Sequence, residues 1–170
     1  MAKKKTAKKT RSRRSRKKVR IAIIGAGGRA VATHYPALRD IPEAEIVAVS
    51  ELDDNRLHAA ANQFGIKGRY TDYVGMIERE KPDAVYAIMP PHHLHDVCAT
   101  VIEMGHHLFI EKPPALTTEQ LRILRRFSPR VVALFDADKA GIKAAVRSMP
   151  LFAEAQMEAL RLEIPGAKDP

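Results

Sequence analysis

Tryptophan is absent from the 170-residue sequence, and cysteine occurs once, as Cys98. A single thiol cannot close an internal disulfide, so a reducing, cytoplasmic setting is expected. No apolar run reaches the ~18 residues that a transmembrane helix needs, so no membrane partner is expected. The N-terminus carries no apolar stretch of signal-peptide length, and export is not expected. Acidic residues are missing from positions 1–20 altogether. The sequence as a whole is 45% hydrophobic, which suits a packed α/β core rather than a disordered chain.

The net charge of +9 belongs to one end of the chain. Residues 1–20 hold 12 of the 29 Lys and Arg, leaving 17 against 20 Asp and Glu, a net of −3 for the remainder. Residues 1–18 read as a disordered basic arm, because self-repulsion meets almost no apolar burial. Such an arm attracts phosphate without sequence preference, which makes nonspecific nucleic acid a candidate partner. A solubilising tail is the plainer alternative.

After Lys18 the pattern turns regular. Val19–Ile24 is a short apolar run that reads as a buried strand, Glu45–Ser50, Ala84–Met89 and His107–Ile110 read as further strands, and a short one is expected near Arg69–Tyr70. Between them lie helices at Gly28–Asp40, Asp53–Phe64, Asp72–Glu80 and His93–Met104, with Asp53 as N-cap and Gly65 as stop. Further on, helices are expected at Thr117–Phe127 and from Lys139 to about Ala155, bent near Pro150. Strands follow at Val131–Phe135 and Ala159–Ile164. Strands alternating with helices give a doubly wound, Rossmann-like parallel sheet with helices on both faces. The expected division is a basic arm over 1–18, a dinucleotide-binding domain over 19–115, and an extension over 116–170 continuing the same sheet. Exposed sheet edges make a homodimer a candidate assembly.

Ligands of such sheets sit beyond the carboxyl ends of the strands. The first strand runs into Gly25-Ala26-Gly27-Gly28-Arg29-Ala30, a G-x-G-x-x-A pattern. Gly25 allows a tight turn, Gly27 lets backbone approach a pyrophosphate, and Ala30 lets helix and strand pack closely. The helix start offers free N–H groups and partial positive charge to phosphates. Glu51 ends the second strand 21 residues past Ala30, where an acid holds the adenosine ribose hydroxyls and repels a 2′-phosphate. The pattern therefore favours NAD, with Arg56 nearby keeping NADP open.

These residues sit in longer stretches with a recognisable order: V-R-I-A-I-I-G-A-G-G-R-A, E-I-V-A-V-S-E-L, P-D-A-V-Y-A-I-M-P-P-H-H-L-H and G-H-H-L-F-I-E-K-P-P-A-L-T. Together they resemble the N-terminal domain of the glucose–fructose oxidoreductase and inositol dehydrogenase (Gfo/Idh/MocA) family, over about 100 residues. The resemblance implies NAD(P) held by Gly25, Gly27, Gly28, Arg29 and Ala30, with Glu51 on the ribose. It implies that Met89, Pro90 and His95 lie beside the nicotinamide ribose. Glu111-Lys112-Pro113 matches the family's E-K-P motif, which implies that Lys112 assists proton transfer from a sugar or polyol hydroxyl. The family places its substrate contacts in a second domain, which this chain is expected to lack. It is therefore expected to bind dinucleotide without turnover on its own.

The remainder follows a different pattern. A-L-T-T-E-Q-L-R-I-L-R-R-F, V-V-A-L-F-D-A-D-K-A-G-I-K-A-A-V-R and L-E-I-P-G-A-K-D-P resemble the later part of the Toprim domain of bacterial primases. That resemblance implies divalent metal at Asp136 and Asp138 for phosphoryl transfer. A chain joining two families at a shared βα unit suggests a chimera. If strands five and six are neighbours, Glu111, Asp136 and Asp138 converge on one edge and offer Mg²⁺ three carboxylates. Helix capping by the two aspartates is the plainer alternative. His92, His93, His95, His106 and His107 cluster in sequence, yet lack zinc-site spacing. Cys98 reads as core.

Overall fold

The computed structural model describes residues 17–111, 118–134 and 139–162. The basic arm to residue 16, Lys112, Asp136 and Asp138 lie outside the described residues. Strands β1 (Val19–Ile24), β2 (Ala44–Ser50), β3 (Gly68–Tyr70), β4 (Ala84–Ala87) and β5 (His107–Ile110) form one parallel sheet in the order β3-β2-β1-β4-β5. The order reverses between β1 and β4, which makes that crevice the topological switch point.

Period-two alternation decides which side chains enter which layer. Ile21, Ile23 and Val49 face one layer, where they pack with Ala30, Tyr35, Leu38, Leu57 and Ala61. Those partners come from α1 (Tyr35–Arg39), α2 (Asp54–Phe64) and the segment just before α1. Ala22, Ile24, Ala48 and Val85 face the other layer, with Met76 and Ile77 of α3 (Tyr73–Glu80) and Val101 of α4 (Pro91–Glu103). The caps follow the sequence. Asp53 accepts from the Arg56 N–H at 3.0 Å and opens α2. Gly65 closes that helix in the left-handed region, at φ +68°.

The helix after β1 departs from a plain α-helix. Residues 28–39 are continuously helical, but Ala30–His34 is a π-helical stretch in which the Tyr35 N–H reaches back to the Ala30 carbonyl. Such single π turns gather at functional sites.

The expectation of one continuous sheet is corrected. Strands β6 (Arg130–Leu134) and β7 (Glu158–Leu162) pair with each other in a separate parallel two-stranded sheet, linked by α6 (Lys139–Glu154), which runs through Pro150. The reason lies in α5 (Thr118–Arg125). Its Leu124 packs with Ala87, Leu94 and Cys98 of the first unit. Its Leu121, one turn away, packs with Phe152 and Ala155. The second βαβ unit thus closes a core of its own, and β7 supplies the hydrogen bonds of β6. The premise that set Glu111 beside Asp136, adjacency of β5 and β6, does not hold.

Candidate dinucleotide site

Three strand ends meet where the chain leaves β1. The Gly25 N–H donates to the Ser50 carbonyl at 2.8 Å, and the Ile88 N–H donates to the Ile24 carbonyl at 2.9 Å. Gly25 sits at φ +104°, and a Cβ on it would lie 2.1 Å from the Ile88 carbonyl oxygen. Only glycine serves here, on both conformational and steric grounds. Two residues on, the situation inverts. A Cβ added at Gly27 or Gly28 would meet no protein atom within 4 Å. That side of the turn is open, and it faces the space into which the first N–H groups of a helix project.

This space is a cavity of about 360 Å³, lined by Gly27, Gly28, Arg29, Ala30, Ile88, Met89, Pro90 and Glu111. Its volume falls within the ~300–1,000 Å³ typical of small-molecule sites. The glycine turn forms one wall, the segment after β4 another, and the exit of β5 the third. Ala30 is buried among Ile23, Ala26 and Ile88, which brings the helix close to the strand.

Two acids flank the turn. Glu51, at the exit of β2, accepts from the Ala26 N–H through Oε2 at 2.8 Å and from the Asp53 N–H through Oε1 at 3.2 Å. Glu111 accepts through Oε1 from His34 Nε2 at 2.8 Å and from Arg29 Nε at 3.3 Å. Burial pushes the Glu111 carboxyl upward. The hydrogen bonds from His34 and Arg29, with their charges, outweigh it and hold the group below the ordinary carboxylate range. Behind the turn, the Tyr35 hydroxyl donates to the Gly25 carbonyl at 3.1 Å. Burial, and then the negative charge of Glu51, raise the Tyr35 phenol, so it stays a neutral donor.

The structure brings Gly27, Gly28, Arg29, Ala30, Met89, Pro90 and Glu111 together around one cavity, with Gly25 holding the turn behind them. Glu51 reaches the turn from the side of β2. His95 does not line the cavity. It lies on α4 with Nδ1 3.1 Å from Asp96 Oδ1, and its buried Nε2 has no partner among the described residues. Among those residues no three His, Cys, Asp or Glu side chains gather as a metal-binding set. None of the helices described there is long and apolar enough to cross a membrane. Sequence reasoning missed His34 and Tyr35, because a π turn has no composition signature that shifts the expected helical register.

Comparison with known proteins bears on both parts of the chain. The model of the Gfo/Idh/MocA oxidoreductase family, NAD-binding Rossmann fold, matches residues 19–127. A Toprim-like model matches residues 93–170. D-glucoside 3-dehydrogenase of Escherichia coli K12 is 34% identical over 104 residues, covering 61% of this chain and 30% of that protein. A DNA primase of Clostridium acetobutylicum is 27% identical over 148 residues, covering 87% of this chain and 22% of the primase. Among solved structures, scyllo-inositol dehydrogenase of Lactobacillus casei, bound to NAD(H) and scyllo-inositol, superposes with a TM-score of 0.60. That likeness covers 65% of this chain and 33% of the other at 24% identity, and is one of fold. The chain spans about a third of the length of the curated oxidoreductases it matches. By the match over residues 19–127, the chain belongs to the Gfo/Idh/MocA oxidoreductase family, with its NAD-binding Rossmann fold.

Proposed function

We propose that the cavity at the β1–β4 switch point holds NAD(H), with the diphosphate at Gly27–Ala30 and the nicotinamide end toward Met89, Pro90 and Glu111. The observation that carries this reading is the pairing of an obligate glycine with open glycines. Gly25 is wedged against Ile88, while Gly27 and Gly28 leave empty exactly the wall a diphosphate would touch. The helix start there supplies N–H donors and partial positive charge. Glu51 is the ribose residue. Its two oxygens each accept one backbone N–H and keep lone pairs for sugar hydroxyls. A carboxylate there opposes a 2′-phosphate, so NAD is preferred to NADP.

NAD(H), when bound, supplies the hydride chemistry. The chain supplies orientation and charge. Lys112, next after Glu111, is proposed to hold a proton for the substrate oxygen. The relatives' names point to a sugar or polyol as substrate. Because the family resemblance puts substrate contacts in another domain, dinucleotide binding rather than turnover is the direct test. NADH fluorescence should change saturably on titration, and Gly27→Asp should abolish the change while the protein stays folded. Unchanged affinity in that variant would remove the glycine turn from the account.

A second reading rests on the Toprim-like match over residues 93–170: Mg²⁺ at Asp136 and Asp138, in a nucleic-acid-associated module served by the basic arm. Calorimetric titration with Mg²⁺ or Mn²⁺ tests the metal, and absence of heat retires it. Deleting residues 1–18 should abolish any salt-dependent gel shift, which assigns polyanion affinity to the arm.

A further inference from the structure

Arg29 and Glu111 both line the cavity, and they are joined to each other across it by the 3.3 Å contact of Nε with Oε1. Arg29 is the exposed member, with 69% of its side chain accessible, against 21% for Glu111. Its charge sits in the first helical turn, beside the amides to which the diphosphate is assigned. That charge is paired with a carboxylate, Glu111. Glu111 has a second and better buried donor: His34 Nε2, at 2.8 Å, on a side chain only 12% exposed.

Why His34 reaches Glu111 is a matter of helical register. The π turn over Ala30–His34 adds a residue to one turn. His34 then faces β5, in edge contact with Phe109 at 5.7 Å between ring centroids. The next residue, Tyr35, turns inward to the Gly25 carbonyl. Phe109 is itself stacked on Tyr86 at 4.4 Å, so the imidazole rests against an aromatic wall that fixes it.

We infer that Glu111 is a built-in competitor of the dinucleotide diphosphate for Arg29, and that His34 is the positioning residue that moderates this competition. On binding, Arg29 exchanges the carboxylate for a phosphate, and His34 retains Glu111 so that the carboxylate is not left unpaired. This inference rests on the dinucleotide reading of the cavity. It goes beyond that reading by fixing the sign of each residue's effect on affinity. A carboxylate in an anion site would ordinarily be a pure cost to binding; here a second donor reduces that cost.

The test is NADH titration by fluorescence of the whole chain, with folding checked by circular dichroism. Glu111→Gln removes the competitor and should tighten NADH binding about two- to fivefold, the range set by a partly exposed ion pair. Arg29→Ala should weaken it, and by a larger factor in the Glu111→Gln background, where Arg29 is free for the phosphate. His34→Phe removes the second donor and should weaken binding about two- to fivefold. His34→Asn keeps an N–H donor and should retain most of the affinity. In the Glu111→Gln background His34→Phe should have no effect. ADP-ribose, which carries the diphosphate without nicotinamide, should show the same pattern.

Loss of folding cannot imitate this set, since one substitution tightens binding. If wild type binds NADH but Glu111→Gln binds no more tightly, the inference falls and the dinucleotide site stands. If His34→Phe weakens binding equally in the Glu111→Gln background, the role of His34 falls. If neither wild type nor Glu111→Gln binds, both readings fall together. Binding seen only with Glu111→Gln would carry the inference at its strongest.

Discussion

The Glu51 carboxylate accepts a hydrogen bond from the Ala26 N–H at 2.8 Å, which ties the end of β2 to the glycine turn that leaves β1. One side chain thus shapes the turn and stands where the adenosine ribose is assigned. Glu51→Ala should cost about 1–3 kcal/mol of stability from the two lost hydrogen bonds, to the Ala26 and Asp53 N–H groups. It should weaken NADH binding by ~10- to 100-fold, as expected for a charged hydrogen-bond partner. NADPH affinity should fall less, because the repulsion toward a 2′-phosphate goes with the carboxylate. Parallel titrations with the two cofactors measure this. An unchanged NADH/NADPH ratio would take specificity away from Glu51.

The glycines of the turn should separate cleanly into structural and ligand-facing positions. Gly25→Ala forces a Cβ to within 2.1 Å of the Ile88 carbonyl oxygen at φ +104°, and the atoms it meets are all Ile88 backbone. A loss of upwards of ~3 kcal/mol is expected, at the severe end of single substitutions. Gly28→Ala meets open space. Its stability should stay within ~1 kcal/mol of wild type or improve, since alanine suits a helix better. Denaturant midpoints for the two variants decide the matter.

Much of this was legible before any coordinates. The G-x-G-x-x-A turn, the Asp53 cap, the Gly65 stop and the five-strand alternation all express local rules: a fixed φ, an orphan N–H, a period of two. The place of Glu51 at the exit of β2 was legible from its distance along the chain, although its bond to Ala26 was not. The partition of β6 and β7 into a second sheet was not legible. Strand–helix alternation states that strands pair in parallel, not which neighbour each takes. That choice was made by Leu121 and Leu124, which face different cores from one short helix. His34 was hidden for a related reason: a π turn changes side-chain direction without changing composition.

The two buried leucines of α5 give a prediction of their own. Leu124→Ala opens a hole among Ala87, Leu94 and Cys98, while Leu121→Ala opens one against Phe152 and Ala155. Each should cost ~2–4 kcal/mol. Hydrogen exchange should show the first loosening α4 and β4, and the second loosening α6 and β7 while leaving the five-stranded sheet protected. Uniform loosening by both would mean that the two units share one core.

The Glu111 carboxyl is held below its ordinary range in the folded chain, so its contribution to stability has a definite sign with pH. A depressed folded value means that the unfolded chain takes up the proton first as pH falls. The contribution is present above the unfolded value of ~4.3 and is lost as pH drops through the lower folded one. Wild type should therefore lose thermal stability between about pH 5 and pH 3 more steeply than Glu111→Gln. Superimposable melting curves for the two proteins across that window would show that the contacts of His34 and Arg29 with Glu111 lend it no stabilising role.

Cys98 offers a check on packing that needs no substitution. It lies fully buried on α4 beside Leu94 and Leu124, and burial alone pushes its thiol up to about 12. Only thiolate reacts quickly with alkylating reagents. At pH 8 the native chain should resist iodoacetamide, and labelling should follow opening of the α4–α5 contact rather than the chemistry of the thiol. Leu124→Ala should raise the labelling rate by loosening that contact, and Leu121→Ala should leave it near wild type. Rapid labelling of the folded wild-type chain would mean that α5 does not cover Cys98 in solution.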